Sequence, residues 1–209
     1  MRLLICAGMT GGGVFPALAI LQASSVDPSQ VLWIGSEGGM EEELISKSGL
    51  AFEGIPAAGL HGVSLGTMPG NLIKLFHGWQ KARKILKQFQ PDVMLFTGGF
   101  VGVPVALASR KIPSLVFIPD IEPGLALKTI ILKATLISAT TSLTKAFLPK
   151  RKEFFVSGYP LRKEVTQWNR LDGLKHFNLD HKKPVLLVYG GSKGAKSINN
   201  ALSSGLQRI

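Results

Sequence analysis

Short apolar runs recur along the chain at residues 3–6, 31–34, 93–96 and 114–118. Their length and continuity suit strands buried on both faces. Residues 51–55, 135–140 and 154–156 add three more, each with the β-branched or aromatic content that a pleated surface favours. Helical spacing fills the intervals. A helix opens at Ala17, another over 40–48 has Glu41, Glu42 and Glu43 in its first turn, where acids suit the dipole, and a third runs over 71–90. Residues 106–110 and the stretch carrying Lys128 and Lys133 continue the series. Strict alternation of buried strand and helix predicts an α/β fold, a Rossmann-like doubly wound parallel sheet.

Between these elements the polar positions are glycine-rich, and always on the carboxyl side of a strand. Gly8-Met9-Thr10-Gly11-Gly12-Gly13-Val14-Phe15-Pro16-Ala17 follows the run at 3–6; Thr97-Gly98-Gly99-Phe100-Val101-Gly102-Val103-Pro104 follows the run at 93–96. Glycine lets backbone approach a ligand closely, and a following helix offers unpaired N–H groups, so phosphate is the expected guest. A dinucleotide is disfavoured: the spacing is not G-x-G-x-x-G, and the second strand ends Ile34-Gly35-Ser36 without the acid that would hold a ribose.

Gly158-Tyr159-Pro160-Leu161-Arg162 closes the sheet unit, giving an N-terminal domain over residues 1–163. Residues 164–183 are polar, charged and without strong period, as a connection would be. Residues 184–209 then offer a new buried strand at 185–188, a third glycine turn Tyr189-Gly190-Gly191-Ser192-Lys193-Gly194-Ala195, and a helix over 196–206. One βα unit cannot bury its own faces, so this stretch is expected to be the incomplete start of a second α/β domain.

Charge narrows the partners. Twenty-four Lys and Arg against 13 Asp and Glu give +11, which favours an anionic partner. No Arg-rich tract or Cys/His spacing marks a nucleic-acid module, so nucleic acid is not expected, and no metal cluster or cofactor motif is read. The single cysteine, Cys6, lies within the first strand, which excludes an intrachain disulfide, suits a reducing compartment and reads as a small core hydrophobe. The apolar core at 3–7 is too short for a signal sequence, and the uncharged run 93–109 is broken by glycines, so no spanning segment is expected. His61, alone in the loop 56–70, reads as a surface residue or a catalyst. Helix 71–90 also carries two readings. Leu72, Leu75, Phe76, Trp79, Ala82, Arg83, Leu86 and Phe89 suit an ordinary core-facing stripe, with Lys84 and Lys87 around it. Ile73, Phe76 and Trp79 beside Lys74, His77 and Lys81 equally match a patch that dips into an anionic membrane surface.

Four glycine turns in this order and spacing resemble those of the MurG-type glycosyltransferases of glycosyltransferase family 28. The first loop is similar to G-G-T-G-G-H-x-x-P-A, the second to G-G-Y-x-S-x-P, residues 158–162 to G-N-P-V-R and residues 190–195 to G-G-S-Q-G-A. The resemblance implies the two-domain GT-B architecture. It also implies transfer of N-acetylglucosamine from UDP-GlcNAc to undecaprenyl-diphosphate-linked N-acetylmuramyl-pentapeptide (lipid I to lipid II). That activity serves peptidoglycan synthesis, and through it cell division and shape, at the cytoplasmic face of the bacterial membrane. By resemblance Thr10, Gly11, Gly12, Gly13, Gly98, Gly99 and Phe100 line the acceptor diphosphate pocket, while Asp120, Arg162 and Ser192 face the donor. The basic-aromatic helix matches the family's membrane patch.

Three of these segments depart from that pattern. The family's loop histidine, a candidate base, falls on Gly13; its H-E-Q-N segment falls on Phe117-Ile118-Pro119-Asp120; and its third-loop glutamine is Lys193. Asp120 and Glu122 are then the expected substitute bases. Alternatives to an active enzyme are a non-catalytic lipid-diphosphate binding module and an acceptor-binding subunit that works with a separate donor-binding chain.

Overall fold

The computed structural model describes all residues except 9–10, 60–65, 67, 110, 191–193 and 207–209. It divides into two compact units, Met1–Lys163 and Glu164–Ile209. In the first unit, strands β1 (Leu3–Ala7), β2 (Val31–Ser36), β3 (Ala51–Ile55), β4 (Val93–Gly98), β5 (Ser114–Ile118), β6 (Leu136–Ala139) and β7 (Glu153–Val156) form one sheet. The strand order is 3-2-1-4-5-6-7 and every pairing is parallel. Helices α1 (Gly11–Ala23), α2 (Met40–Lys47), α3 (Met68–Phe89), α4 (Gly102–Ala108) and α5 (Leu125–Ile131) are the crossovers.

Period-two alternation explains how continuous apolar strands cover both faces. Leu4, Cys6, Leu32, Ile34, Met94, Phe96, Val116 and Ile118 point to one side, where Ala82, Ile85 and Leu86 of α3, Val105 of α4 and Ile130 and Ile131 of α5 pack on them. Leu3, Ile5, Ala7, Val31, Trp33 and Leu95 point to the other, against Val14 and Ala17 of α1 and Ile45 of α2. The fully buried Trp33 satisfies its indole by donating from Nε1 to the Ala7 carbonyl at 2.9 Å. The edge strands β3 and β7 are largely exposed, as their mixed composition requires.

Several boundaries differ from the sequence expectation. Helix α1 begins at Gly11 rather than Ala17, so Gly11, Gly12 and Gly13 are its first turn and not a loop. The cause is tertiary. Register shifts between β1 and β4 after Cys6, which leaves Thr97 bulged; its buried Oγ1 donates to the Gly13 carbonyl at 2.6 Å and fixes that turn. Helix α4 likewise starts at Gly102, four residues early, and α3 at Met68.

In the second unit, α6 (Lys163–Thr166) continues from the first, and α7 (Arg170–His176) and α8 (Lys196–Gly205) are helical. Thus the expected connection 164–183 contains helix, capped by Asn169, whose side chain accepts from the Asp172 N–H at 3.0 Å. The strand expected over 185–188 is not formed: these residues have no pairing and Leu187 is 76% exposed. A strand needs a neighbour's N–H and C=O groups, and among the described residues none is paired with residues 184–190.

Candidate functional site

In a parallel sheet, ligands bind beyond the carboxyl ends of the strands where the order reverses. Here that point lies between β1 and β4, and the loops leaving both strands are glycine for a steric reason. Gly98 and Gly99 have φ of +136° and +93°, the left-handed half of conformational space that side chains rarely adopt. A Cβ on Gly99 would stand 2.8 Å from the Gly8 carbonyl oxygen and 3.1 Å from its nitrogen. The two loops therefore meet backbone to backbone. Beneath them lies Glu41, read from sequence as a dipole acid but fully buried, accepting from the Ser36 N–H at 2.7 Å and packed against Gly8, Gly35 and Gly39. Burial, and secondarily the charge of Glu41, push the Cys6 thiol far above its ordinary range, so it stays neutral.

Above the loops opens a cleft of about 440 Å³. Gly12, Gly13, Gly98, Gly99 and Phe100 form one wall, and Asp120 and Tyr159 stand on another. Burial raises the Tyr159 phenol, with a smaller contribution from the Asp120 carboxylate, so the phenol remains a donor at neutral pH. Among the described lining residues these two are the only ionisable ones. Gly13 itself is buried with ordinary contacts of 3.7 to 3.8 Å around a Cβ placed on it, so the backbone there has room for a side chain.

The remaining expected site residues are dispersed. Gly11 is in the first turn of α1 but does not line the cleft. Glu122 is bound to Lys128 at 2.6 Å and does not line it either, which separates the two candidate bases. Arg162 lies with its guanidinium carbon 4.4 Å from the Phe15 ring centroid on α1, away from the lining. Thr10, His61, Ser192 and Lys193 lie outside the described residues.

On α3, Leu72, Ile73 and Phe76 are exposed, Phe76 stacks on Trp79 at 5.8 Å, and Leu107 of α4 extends the apolar face. The expected cations are placed differently. Lys81 pairs with Glu37 at 2.8 Å, and Lys74, two residues before Phe76, falls across the helix from it at about 100° per residue. Arg83 instead packs over Trp79 at 5.0 Å, and Lys87, one turn on, lines a shallow depression together with both of them. The i,i+4 spacing from Trp79 to Arg83 was the available sequence signal.

The sequence profile of the glycosyltransferase family 28 N-terminal domain matches residues 3–137, running from β1 into β6 and including both glycine loops of the cleft. The chain belongs to glycosyltransferase family 28. Relatives agree. The UDP-N-acetylglucosamine–N-acetylmuramyl-(pentapeptide) pyrophosphoryl-undecaprenol N-acetylglucosamine transferase of Halothermothrix orenii is 35% identical over 97% of this chain and 56% of its own length. That of Lachnoclostridium phytofermentans is 36% identical over 96% and 57%. The crystal structure of Acinetobacter baumannii MurG superposes with a TM-score of 0.69 at 26% identity, covering 99% of this chain and 57% of that one. This family 28 chain thus spans a little over half the length of the curated relatives it matches. The family read from the glycine turns is the one found, and so is the parallel Rossmann-like sheet.

Proposed function

We propose that this chain is the acceptor-binding part of a MurG-type hexosyltransferase. That enzyme moves N-acetylglucosamine from UDP-GlcNAc to undecaprenyl-diphosphate-linked N-acetylmuramyl-pentapeptide during peptidoglycan synthesis. The observation that carries the reading is the cleft at the β1/β4 switch point, built from two contacting glycine loops and the first turn of α1. Such a cleft presents backbone N–H groups and a helix dipole to a diphosphate without bulky side chains in the way. Gly12, Gly13, Gly98, Gly99 and Phe100 hold the acceptor diphosphate, and the family resemblance assigns Thr10 and Gly11 to the same ligand. Donor contacts fall to Arg162, Ser192 and Asp120. Charge of +11 and the apolar face of Ile73, Phe76 and Trp79, flanked by Arg83 and Lys87, suit peripheral attachment at the cytoplasmic face of the membrane. Among the described residues no helix is long and apolar enough to cross it.

In the transfer, a base takes the proton of the acceptor sugar hydroxyl, its oxygen forms the new bond to the donor's anomeric carbon, and that carbon's bond to UDP breaks with the electron pair leaving on the diphosphate. Asp120 is the carboxylate that lines the cleft and is assigned that proton; the Tyr159 phenol beside it is a donor for the sugar or phosphate. Gly13 supports a second reading, a lipid-diphosphate binding module without turnover, because the family's histidine position carries no titratable group.

Acceptor binding by the chain alone, followed by transfer from UDP-GlcNAc with a donor-binding domain supplied in trans, tests both. Asp120→Asn is expected to lower the rate by about 10²- to 10⁴-fold and Glu122→Gln far less. Undiminished transfer by Asp120→Asn removes the base assignment, binding without any transfer supports the module, and absence of acceptor binding sinks both readings.

A further inference from the structure

Three depressions adjoin on one side of the first unit. The glycine cleft shares Phe100, Leu125 and Ala126 with a neighbouring cleft of about 390 Å³ between α3, α4 and α5. That cleft in turn shares Leu75 and Val103 with the trough along the exposed apolar face of α3 and α4 that carries Phe76 and Trp79. The path from the glycine cradle to the membrane-type face is therefore unbroken, and apolar once the cradle is left.

The middle cleft contains little that could recognise a polar group. Lys128 is already paired with Glu122 at 2.6 Å, and the Thr129 hydroxyl donates to its own helix at the Leu125 carbonyl, 3.0 Å away. What remains among the described lining residues is hydrocarbon: Leu75, Val103, Ala126 and Leu132, with the Phe100 ring at the junction. Leu125 and Leu132 are 50% and 63% exposed, so α5 and the residue that ends it leave two large apolar side chains in water along this route. An occupant matched to this arrangement has a polyanionic head for the cradle and a hydrocarbon chain that leaves it along one direction.

We propose that the cleft between α3, α4 and α5 seats the first isoprene units of a prenyl diphosphate whose diphosphate lies in the glycine cradle. The proposal rests on the acceptor reading above and adds a tail-binding subsite to it. The protein then holds the lipid by both ends of its head region. The rest of the tail passes over Leu75 and Val103 toward the Phe76 and Trp79 face and leaves the protein where that face meets the bilayer.

The test is titration of the 209-residue chain with inorganic pyrophosphate and with dimethylallyl, geranyl and farnesyl diphosphates, all below their aggregation concentrations. Affinity is expected to rise about tenfold for each of the first two isoprene units, as partial burial of five carbons allows, and then to level off. Thr129→Trp places an indole in the cleft from an exposed position, so a melting curve like wild type verifies folding. In that variant pyrophosphate binds as in wild type while the gain from the tail disappears. Leu132→Glu, also exposed, is expected to do the same. Equal affinity for pyrophosphate and all three prenyl ligands overturns the subsite and leaves the cradle intact, as does a tail gain that survives Thr129→Trp. A wild-type dimer that Thr129→Trp converts to monomer, with no tail gain, assigns the cleft to a second copy of the chain instead. Failure of pyrophosphate and every prenyl ligand to bind overturns the cradle and the subsite together.

Discussion

Replacing Gly99 by alanine adds one methyl group at the point where the two glycine loops touch. Its backbone has φ of +93°, which costs an L-residue about 1–3 kcal/mol, and the new Cβ would lie 2.8 Å from the Gly8 oxygen. That neighbour is backbone and cannot rotate away, so the loops must separate, adding about 1–3 kcal/mol of overpacking. The sum of roughly 2–5 kcal/mol is a large share of the total for a domain of about 5–15 kcal/mol. Two internal controls separate the causes. Gly98→Ala has positive φ but nothing within 4 Å, so it carries the conformational cost alone. Gly13→Ala has neither strain nor a close neighbour and stands within α1, where alanine is favoured by up to about 1 kcal/mol. Urea unfolding followed by circular dichroism reads the order directly: Gly13→Ala at or above wild type, Gly98→Ala below it, Gly99→Ala lowest, all with one slope. A Gly99→Ala midpoint equal to that of Gly13→Ala would refute the argument that the loops need glycine because they meet.

Two further outcomes are expected. Phe76→Asp with Trp79→Asp should release the chain from anionic vesicles in a flotation assay, and Arg83→Ala with Lys87→Ala should weaken binding more than Lys74→Ala with Lys81→Ala, since Lys81 is held by Glu37; equal losses from the two basic pairs would remove the assignment of cations to the patch. Because burial keeps the Cys6 thiol protonated above its ordinary value of 9.0, the folded state binds more protons than the unfolded one there, and stability falls as pH rises. The loss attributable to Cys6 is about 1.4 kcal/mol by about pH 10, and unfolding of Cys6→Ala at neutral and alkaline pH should lack it; an identical pH slope in both proteins would show that the thiol does not contribute.

The strands were legible because a strand buried on both faces must be apolar at every position, a pattern that residues 3–6, 31–34 and 93–96 carry without help from distant residues. Residues 185–188 carry the same pattern and form no strand, because pairing partners are not encoded in the run itself. The start of α1 was hidden for a related reason. Three successive glycines read locally as loop, and the contact that holds their turn comes from the Thr97 hydroxyl, 84 residues away. At the site, the type of residue was legible and its neighbours were not. Asp120 and Glu122 are equivalent in sequence, yet one faces the cleft and the other is taken by Lys128. Glu41 looked like one of three dipole acids; its burial under Gly8 depends on how α2 packs against the ends of β1 and β2.

The contact between Gly8 and Gly99 also bears on how such sequences drift. A side chain at Gly99 meets the carbonyl of Gly8 whether or not any sugar is transferred, so folding alone is enough to require glycine in the second loop. Gly13 is under no such constraint, since its backbone has space for a Cβ and a side chain there can be gained or lost without disturbing the loops. A descendant of an active enzyme can therefore shed its chemistry while its glycine signature persists. In this fold Gly99 answers to the backbone it touches, and any turnover is to be sought in the ionisable residues around the cleft, Asp120 and Tyr159.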